Sequence, residues 1–219
     1  MLWTNSEKLV LMQWFFRNNE RAFQNSLKVQ KFLFFYEVFS KIQGKPYSFD
    51  RMVIYKLGPV FSTAYGDYRH DFPELKALLD GEDLADHNFV LDLPTARKAN
   101  FLVSILNTDE LSELTHQFSI WKKKESLFGI QRYQIPADEA DFSEEDWKLA
   151  KLLLNAYPID FIEKSTILYL DPAKFVISKE DNEKLTDEHK QALNDIAFSG
   201  EFDNPVFVNL ADDGVLEID

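Results

Sequence analysis

The run SLKVQKFLFFYEVFSKIQG, residues 26–44, places apolar side chains around most of a helical circumference and leaves a thin polar stripe near Gln30, Glu37 and Lys41. A surface helix is apolar on one side only, whereas a helix apolar nearly all round is enclosed by other elements. The run therefore predicts a central helix, with Ser26 as its cap and Gly44 as its stop. Its phenylalanines belong to a set of 20 in the chain. They supply the aromatic volume that the middle of a small helical domain needs, and read as core rather than as a cofactor box.

Upstream, Thr4 and Glu7 have the spacing of a capping box ahead of the apolar LVLMQWFF, which predicts a first helix from about Ser6 to Asn18. Downstream, YSFDRMVIYK is short and β-branched at its centre and predicts a strand or extended arm. In GPVFSTAYGDYRH, Pro59 suits the first position of a helix, so Gly58-Pro59 reads as a rigid strand-to-helix joint. Gly58 is expected to supply an unusual φ or a close backbone approach. ARKANFLVSILN and TDELSELTHQF predict two amphipathic helices, the second capped by Thr108, and a further helix begins at Ser143 and stops before Pro158.

From Pro158 the texture changes. STILYLDPAKFVI predicts a strand interrupted by proline, LTDEHKQALNDIAF a helix capped by Thr186, and PVFVNLADDGVLEID a hairpin turning at Asp213-Gly214. The expected fold class is mainly α (α+β): a helical domain over residues 1–157 with short strands, and a small acidic α+β extension over residues 158–219, packed on it and ending in a β-hairpin. No internal repeat is evident.

With 219 residues, 45% of them hydrophobic, the chain can bury a substantial core, and without cysteine it has neither disulfides nor thiolate chemistry. The N-terminus lacks a basic leader and no stretch approaches membrane-spanning length, so a soluble cytoplasmic protein without a membrane partner is expected. The net charge of −13 is uneven: residues 137–219 hold 21 Asp+Glu against 7 Lys+Arg, while residues 1–136 hold 16 against 17. That sign repels phosphate backbones, which disfavours nucleic acid as a partner and favours a basic protein surface.

No catalytic, metal or cofactor site is expected. His70, His87, His116 and His189 lie far apart with no second ligand at metal spacing. His70 beside Asp71 reads as a helix-end pair, since adjacent residues on a helix point apart. Seven glycines leave little room for phosphate-cradling loops, and neither a dinucleotide fingerprint nor a nucleophile elbow is present. The carboxylates of SEEDW and ADDG have sufficient structural work at a helix start and a turn. The basic cluster WKKKES, residues 121–126, reads as a solvated face or the rim of an interface.

Three elements together, LKVQKFLFFYEVF with QGKP soon after, YKLGPVFSTAY, and LSELTHQFSIW, resemble the Panacea domain, the SocA-like antitoxin family of prophages and bacterial toxin–antitoxin loci. Gln30 and Lys31 match the polar pair of its helix, and Phe34 and Phe35 the aromatic end. Gly44 and Pro46 match its turn. Tyr55 stands at a position where the family has tryptophan; Gly58, Pro59, Val60 and Tyr65 match the corner, and Thr115, His116 and Trp121 the last element. The resemblance spans roughly residues 5–130. Phenylalanines in place of leucine and tyrosine, Tyr55 for tryptophan and SIW for the Pro-Trp ending depart from the family pattern while keeping aromatic bulk.

The resemblance implies an antitoxin that neutralises a protein toxin, encoded by an adjacent gene, through direct contact and without cofactors or catalysis. The alternative is a proteolytic adaptor that hands the toxin to an ATP-dependent protease as a second partner. An enzyme working through scattered carboxylates and an operator-binding repressor are the rivals from other classes. The first lacks a convergent polar cluster, and the second lacks basic charge and a recognition helix.

Overall fold

A computed structural model describes residues 1–84, 89–128, 134–211 and 213–219. In chain order the elements are α1 (Ser6–Asn18), α2 (Glu20–Phe23), α3 (Ser26–Ile42), β1 (Met52–Tyr55), β2 (Gly58–Phe61), α4 (Ser62–His70), α5 (Phe72–Asp80), α6 (Leu93–Ile105), α7 (Thr108–His116), α8 (Ser119–Lys122), β3 (Ile135–Pro136) and α9 (Glu144–Asn155). They continue with α10 (Ile159–Lys164), β4 (Ser165–Leu170), β5 (Ala173–Ser178), α11 (Lys179–Lys184), α12 (Asp187–Ser199), β6 (Val206–Leu210) and β7 (Leu216–Ile218). The mainly helical α+β class expected from the sequence is the class found. Two compact units divide the chain: Met1–Val103 with Thr108–Ala156, and Ser104–Asn107 with Tyr157–Asp219. Among the described residues no helix is long and apolar enough to cross a membrane.

The first unit is assembled around α3. Val29, Phe32, Leu33, Phe34, Phe35 and Val38 are fully buried, and neighbours supply matching rings. Phe15 of α1 stacks on Phe32 with centroids 4.3 Å apart, and Phe118 meets Phe34 edge-on at 5.3 Å. Of the polar stripe of α3, Gln30 and Glu37 are each about 1% exposed, as is the neighbouring Lys31, while Lys41 near the helix end is only partly buried. Burying such groups without partners is costly, and Glu37 is answered twice: it pairs with the buried ammonium of Lys8 on α1 and accepts from Ser48 N at 2.7 Å. Lys8 also donates to Ser48 O at 3.0 Å and lies 4.5 Å from the centre of the Phe61 ring. Burial raises the Glu37 carboxyl, and the Lys8 ammonium opposes that shift.

Helix ends depart from expectation by single residues. Asn5, not Thr4, caps α1 by accepting from Lys8 N, and Asn25, not Ser26, caps α3 by accepting from Leu27 N and Lys28 N. Asparagine is at least as good a cap as the hydroxyls beside it, and here it stands one residue nearer the required position. Thr4 is engaged elsewhere, donating its hydroxyl to the buried Asp67 at 2.6 Å. Gly44 does stop α3, with φ +68 just past the Gln43 cap. Thr108 is the first helical residue of α7, not its cap, and Ser143 caps α9 in a reciprocal capping box with Asp146.

The larger correction concerns Gly58-Pro59. These residues open strand β2, which pairs antiparallel with β1 in the register Tyr55↔Gly58, Ile54↔Pro59, Val53↔Val60 and Met52↔Phe61. The sheet order is β2-β1-β3, so β2 is an edge strand, where a proline without an N–H leaves no central ladder broken. The strand-to-helix joint falls three residues later, where Phe61 precedes α4 with no side-chain cap. The rigid corner is a β-hairpin, and Lys56 and Leu57 form its tip.

The second unit has its own core. Its sheet order is β4-β5-β6-β7, with β5 and β6 parallel and the other pairs antiparallel. The parallel pair is linked through α11 and α12, and Phe175, Ile177, Leu193, Val206 and Val208 are buried between sheet and helix. The single proline-interrupted strand expected over residues 165–177 is instead a hairpin, β4–β5, whose turn contains the cis Asp171–Pro172 bond. Thr186 caps α12 through a capping box with His189, and β6–β7 form the terminal hairpin with Gly214 at φ +82.

Because among the described residues Lys8 is the cation that neutralises Glu37 in a dry environment, Lys8→Met is expected to cost about 3–5 kcal/mol of stability, as for other buried pairs cut on one side. Adding Glu37→Gln, which keeps an acceptor for Ser48, should recover most of that loss. Urea unfolding of the single and double variants checks this, and equal stabilities for the two would contradict it.

Candidate functional site

Six of the positions that carry the resemblance, Gln30, Lys31, Tyr55, Pro59, Val60 and Tyr65, line one cleft. Helix α3 presents Leu27, Gln30 and Lys31 on one face, as the i, i+3, i+4 spacing dictates. The β1–β2 hairpin lies over that face. Between them is a cleft of about 420 Å³ lined by Ser26, Leu27, Gln30, Lys31, Tyr55, Lys56, Leu57, Pro59, Val60 and Tyr65. Tyr55 from β1 and Tyr65 from α4 are both half-buried, and their rings meet at 5.6 Å between centroids. They neither plug the core nor stand free; they form a wall. Burial first, and Tyr65 next, push the Tyr55 phenol above its ordinary value.

Gly58 explains how the hairpin can lie so close to the helix. Its φ is +106, which disfavours any side chain, and a Cβ there would sit 2.1 Å from Lys31 Nζ and 2.5 Å from Thr115 Oγ1. The unusual φ and the close approach are thus both realised. Gln30 Oε1 accepts from Phe61 N at 2.8 Å, tying α3 to the end of β2, and Lys31 Nζ donates to Leu57 O at the hairpin tip. Helices α7 and α8 also contact the hairpin. His116 stacks on Trp121 with centroids 3.7 Å apart, and Trp121 Nε1 donates to Tyr55 O at 3.2 Å.

Lys31 is the unusual group. Among the described residues no carboxylate pairs with it, and a carbonyl oxygen is its partner. Burial lowers the ammonium from 10.5 to about 7. His116 is lowered as well, first by burial and then by the positive charge of Lys31. Two buried polar atoms in this neighbourhood, Gln30 Nε2 and His116 Nε2, have no hydrogen-bond partner. Buried polar atoms are nearly always satisfied, so two orphans beside an unpaired lysine mark a place where stability has been given up.

The other resemblance positions lie apart from the cleft. Phe35 is fully buried among Phe34, Phe39 and Phe118. Gly44 ends α3, and Pro46 is exposed in the loop that follows. Of the basic cluster, Trp121 is buried, Lys123 donates to Asp141 O at 2.8 Å and Lys124 pairs with Asp141 at 2.7 Å, so only a local face remains. His70 ends α4 with Asp71 as the cap residue, His189 belongs to the α12 cap, and His87 lies outside the described residues. Among the described residues no three His, Asp or Glu converge as a metal site. Ser26 reads from the sequence only as a helix cap, and Leu27, Lys56 and Leu57 were not singled out from it. The signal for Leu27 was its helical spacing from Lys31, and the hairpin tip could be found only once the β2 strand was known.

The chain matches no family model, no curated protein and no solved structure.

Two expectations follow from the geometry. Gly58→Ala places a Cβ against Lys31 and Thr115 in a backbone region that alone costs roughly 1–3 kcal/mol, so a loss at or above that range is expected in thermal or urea unfolding; wild-type stability would contradict the close approach. For Lys31, the unfolded chain holds the proton between about pH 7 and 10.5 while the folded chain does not. This group's contribution therefore makes stability rise with pH across that window, by about 1 kcal/mol per pH unit. Lys31→Met removes the term, so the variant should be the more stable protein near about pH 7, with the difference narrowing toward about pH 9. Parallel stability–pH profiles for the two proteins would contradict a buried, unpaired lysine.

Proposed function

We propose that this protein is an antitoxin that captures a separately encoded protein toxin by direct, non-catalytic contact. The observation that carries the reading is convergence. Residues that carry the family resemblance and are scattered from position 30 to position 121, among them Lys31, Tyr55, Gly58, Tyr65 and Trp121, surround one cleft or support its wall. A wall of two tyrosines held by a hairpin that is itself pinned to α3 is ordered before any partner arrives, which reduces the entropy lost on binding. Aromatic anchors of this kind dominate interface energies, so an interface of standard size, about 1,600 Å² in total, would suffice.

The acidity has a separate role. On α12 and before it, Glu183, Asp187, Glu188 and Asp195 are exposed, and they belong to the stretch with 21 Asp+Glu against 7 Lys+Arg. Such a field steers a basic partner during approach and contributes less once contact is made. A toxin that handles RNA or nucleotides would present a surface of the required sign.

Growth rescue is the direct test. The neighbouring reading frame, expressed alone, should halt growth, and co-expression of this protein should restore it. Tyr55→Ala combined with Tyr65→Ala should abolish rescue while the purified variant stays folded. The toxin's half-life should be unchanged by the protein; a shortened half-life would replace masking with delivery to a protease. No growth arrest by the neighbour, or rescue undiminished in the double variant, would overturn the reading. Neutralising Glu183, Asp187, Glu188 and Asp195 with their amides should slow association severalfold at low salt, with the gap closing as salt rises.

A further inference from the structure

The cleft beneath the hairpin is chemically one-sided. Its walls are mostly apolar and aromatic, Leu27, Leu57, Pro59, Val60, Tyr55 and Tyr65, with Ser26 and Lys56 as further polar lining that adds no anion. Its polar floor, Gln30 and Lys31, is about 1% exposed. The acceptor on that floor is already used, since Gln30 Oε1 takes the Phe61 N–H. What remains is donors. Gln30 Nε2 has no partner, and Lys31 Nζ, which has three hydrogens to give, donates to the carbonyl of Leu57. A floor of unused donors, one of them cationic, under apolar walls calls for an occupant with an anionic acceptor at one end and a hydrocarbon body behind it.

We propose that this cleft binds a carboxylate carried on a short apolar body, with Lys31 and Gln30 as the donors and the Tyr55–Tyr65 wall around the body. The Leu57–Gly58 peptide closes over Lys31 Nζ. An arriving carboxylate displaces the Leu57 carbonyl and exchanges a neutral acceptor for a charged one, which makes the stronger hydrogen bond. The element that must turn aside is the hairpin tip, where Gly58 is the permissive residue and Leu57 is already half exposed. The Lys31 ammonium, held low by burial alone, regains its full charge beside an anion. The same chemistry is offered by the last residue of a polypeptide with an apolar side chain and by a free short-chain acid. The inference concerns the purified chain alone and does not rest on the masking reading, so the two can fail separately.

The test is calorimetric titration of the full chain with four probes: acetyl-alanyl-leucine, its carboxy-terminal amide, hexanoate and hexanamide. Both acids are expected to bind, and both amides to bind at least tenfold more weakly. Lys31→Met, which keeps the volume, should weaken the acids at least tenfold and leave the amides unchanged. Leu27→Trp, which fills the apolar half of the cleft and leaves the Lys31 donor in place, should weaken every probe. The dipeptide binding more tightly than hexanoate identifies a chain terminus as the source, and the reverse order identifies a free acid; either order supports the shared chemistry. No binding of any probe, equal binding of acid and amide, or acid binding retained in Lys31→Met would overturn the proposal.

Discussion

Helix α3 passes through the centre of the first unit with three amide or charged side chains that have no access to water, and each is tied to a different element. Glu37 holds α1 through Lys8 and the loop after α3 through Ser48, Gln30 holds the end of β2 through Phe61 N, and Lys31 holds the hairpin tip through Leu57 O. Aromatic packing around α3 supplies most of the favourable burial, but it is non-directional. The three polar anchors are directional. They fix which element lies over which part of the helix, and so they determine where the cleft is and which residues form its walls.

The anchors are not equivalent. Glu37 is matched by a full opposite charge and one main-chain N–H, and its partner Lys8 donates to a main-chain carbonyl as well, the arrangement of a structural lock. Lys31 is matched by a carbonyl and nothing charged, and its neighbour Gln30 is half satisfied. A fold selected for stability alone would have placed an aliphatic side chain at position 31, where Gly58 approaches too closely for any Cβ of its own. Unpaired polar groups that persist in an otherwise well-packed core tend to coincide with sites of action. In this molecule they coincide with the cleft.

Much of this was legible from residue patterns. The central helix, the limits of α1, the Thr186 and Ser143 caps and the terminal hairpin follow from local signals: a helix apolar all round, a hydroxyl three residues before an acidic or polar side chain, and Asp213-Gly214. What escaped was set by tertiary contact. Pro59 reads equally well as a helix start or an edge-strand residue, and only the pairing of Ile54 with Pro59 decides between them. Thr4 has the spacing of a cap, yet the buried Asp67, distant in sequence, claims its hydroxyl. Likewise the sequence shows the thin polar stripe of α3 but not which elements its Glu37 and Gln30 hold. The resemblance singled out Gln30, Lys31, Tyr55, Gly58, Pro59 and Tyr65 without placing them; their convergence on one cleft is a property of the three-dimensional structure alone.

We propose, centrally, that this protein acts by occupying another polypeptide's surface through the wall and floor of that cleft. Hydrogen exchange of the backbone amides, free and with the neighbouring gene's product bound, addresses it most directly. The account predicts added protection concentrated in residues 26–31 and 55–65, with α1 and the interior turns of α3 unchanged. Protection confined to other surfaces, or no stable complex with that product, would contradict it.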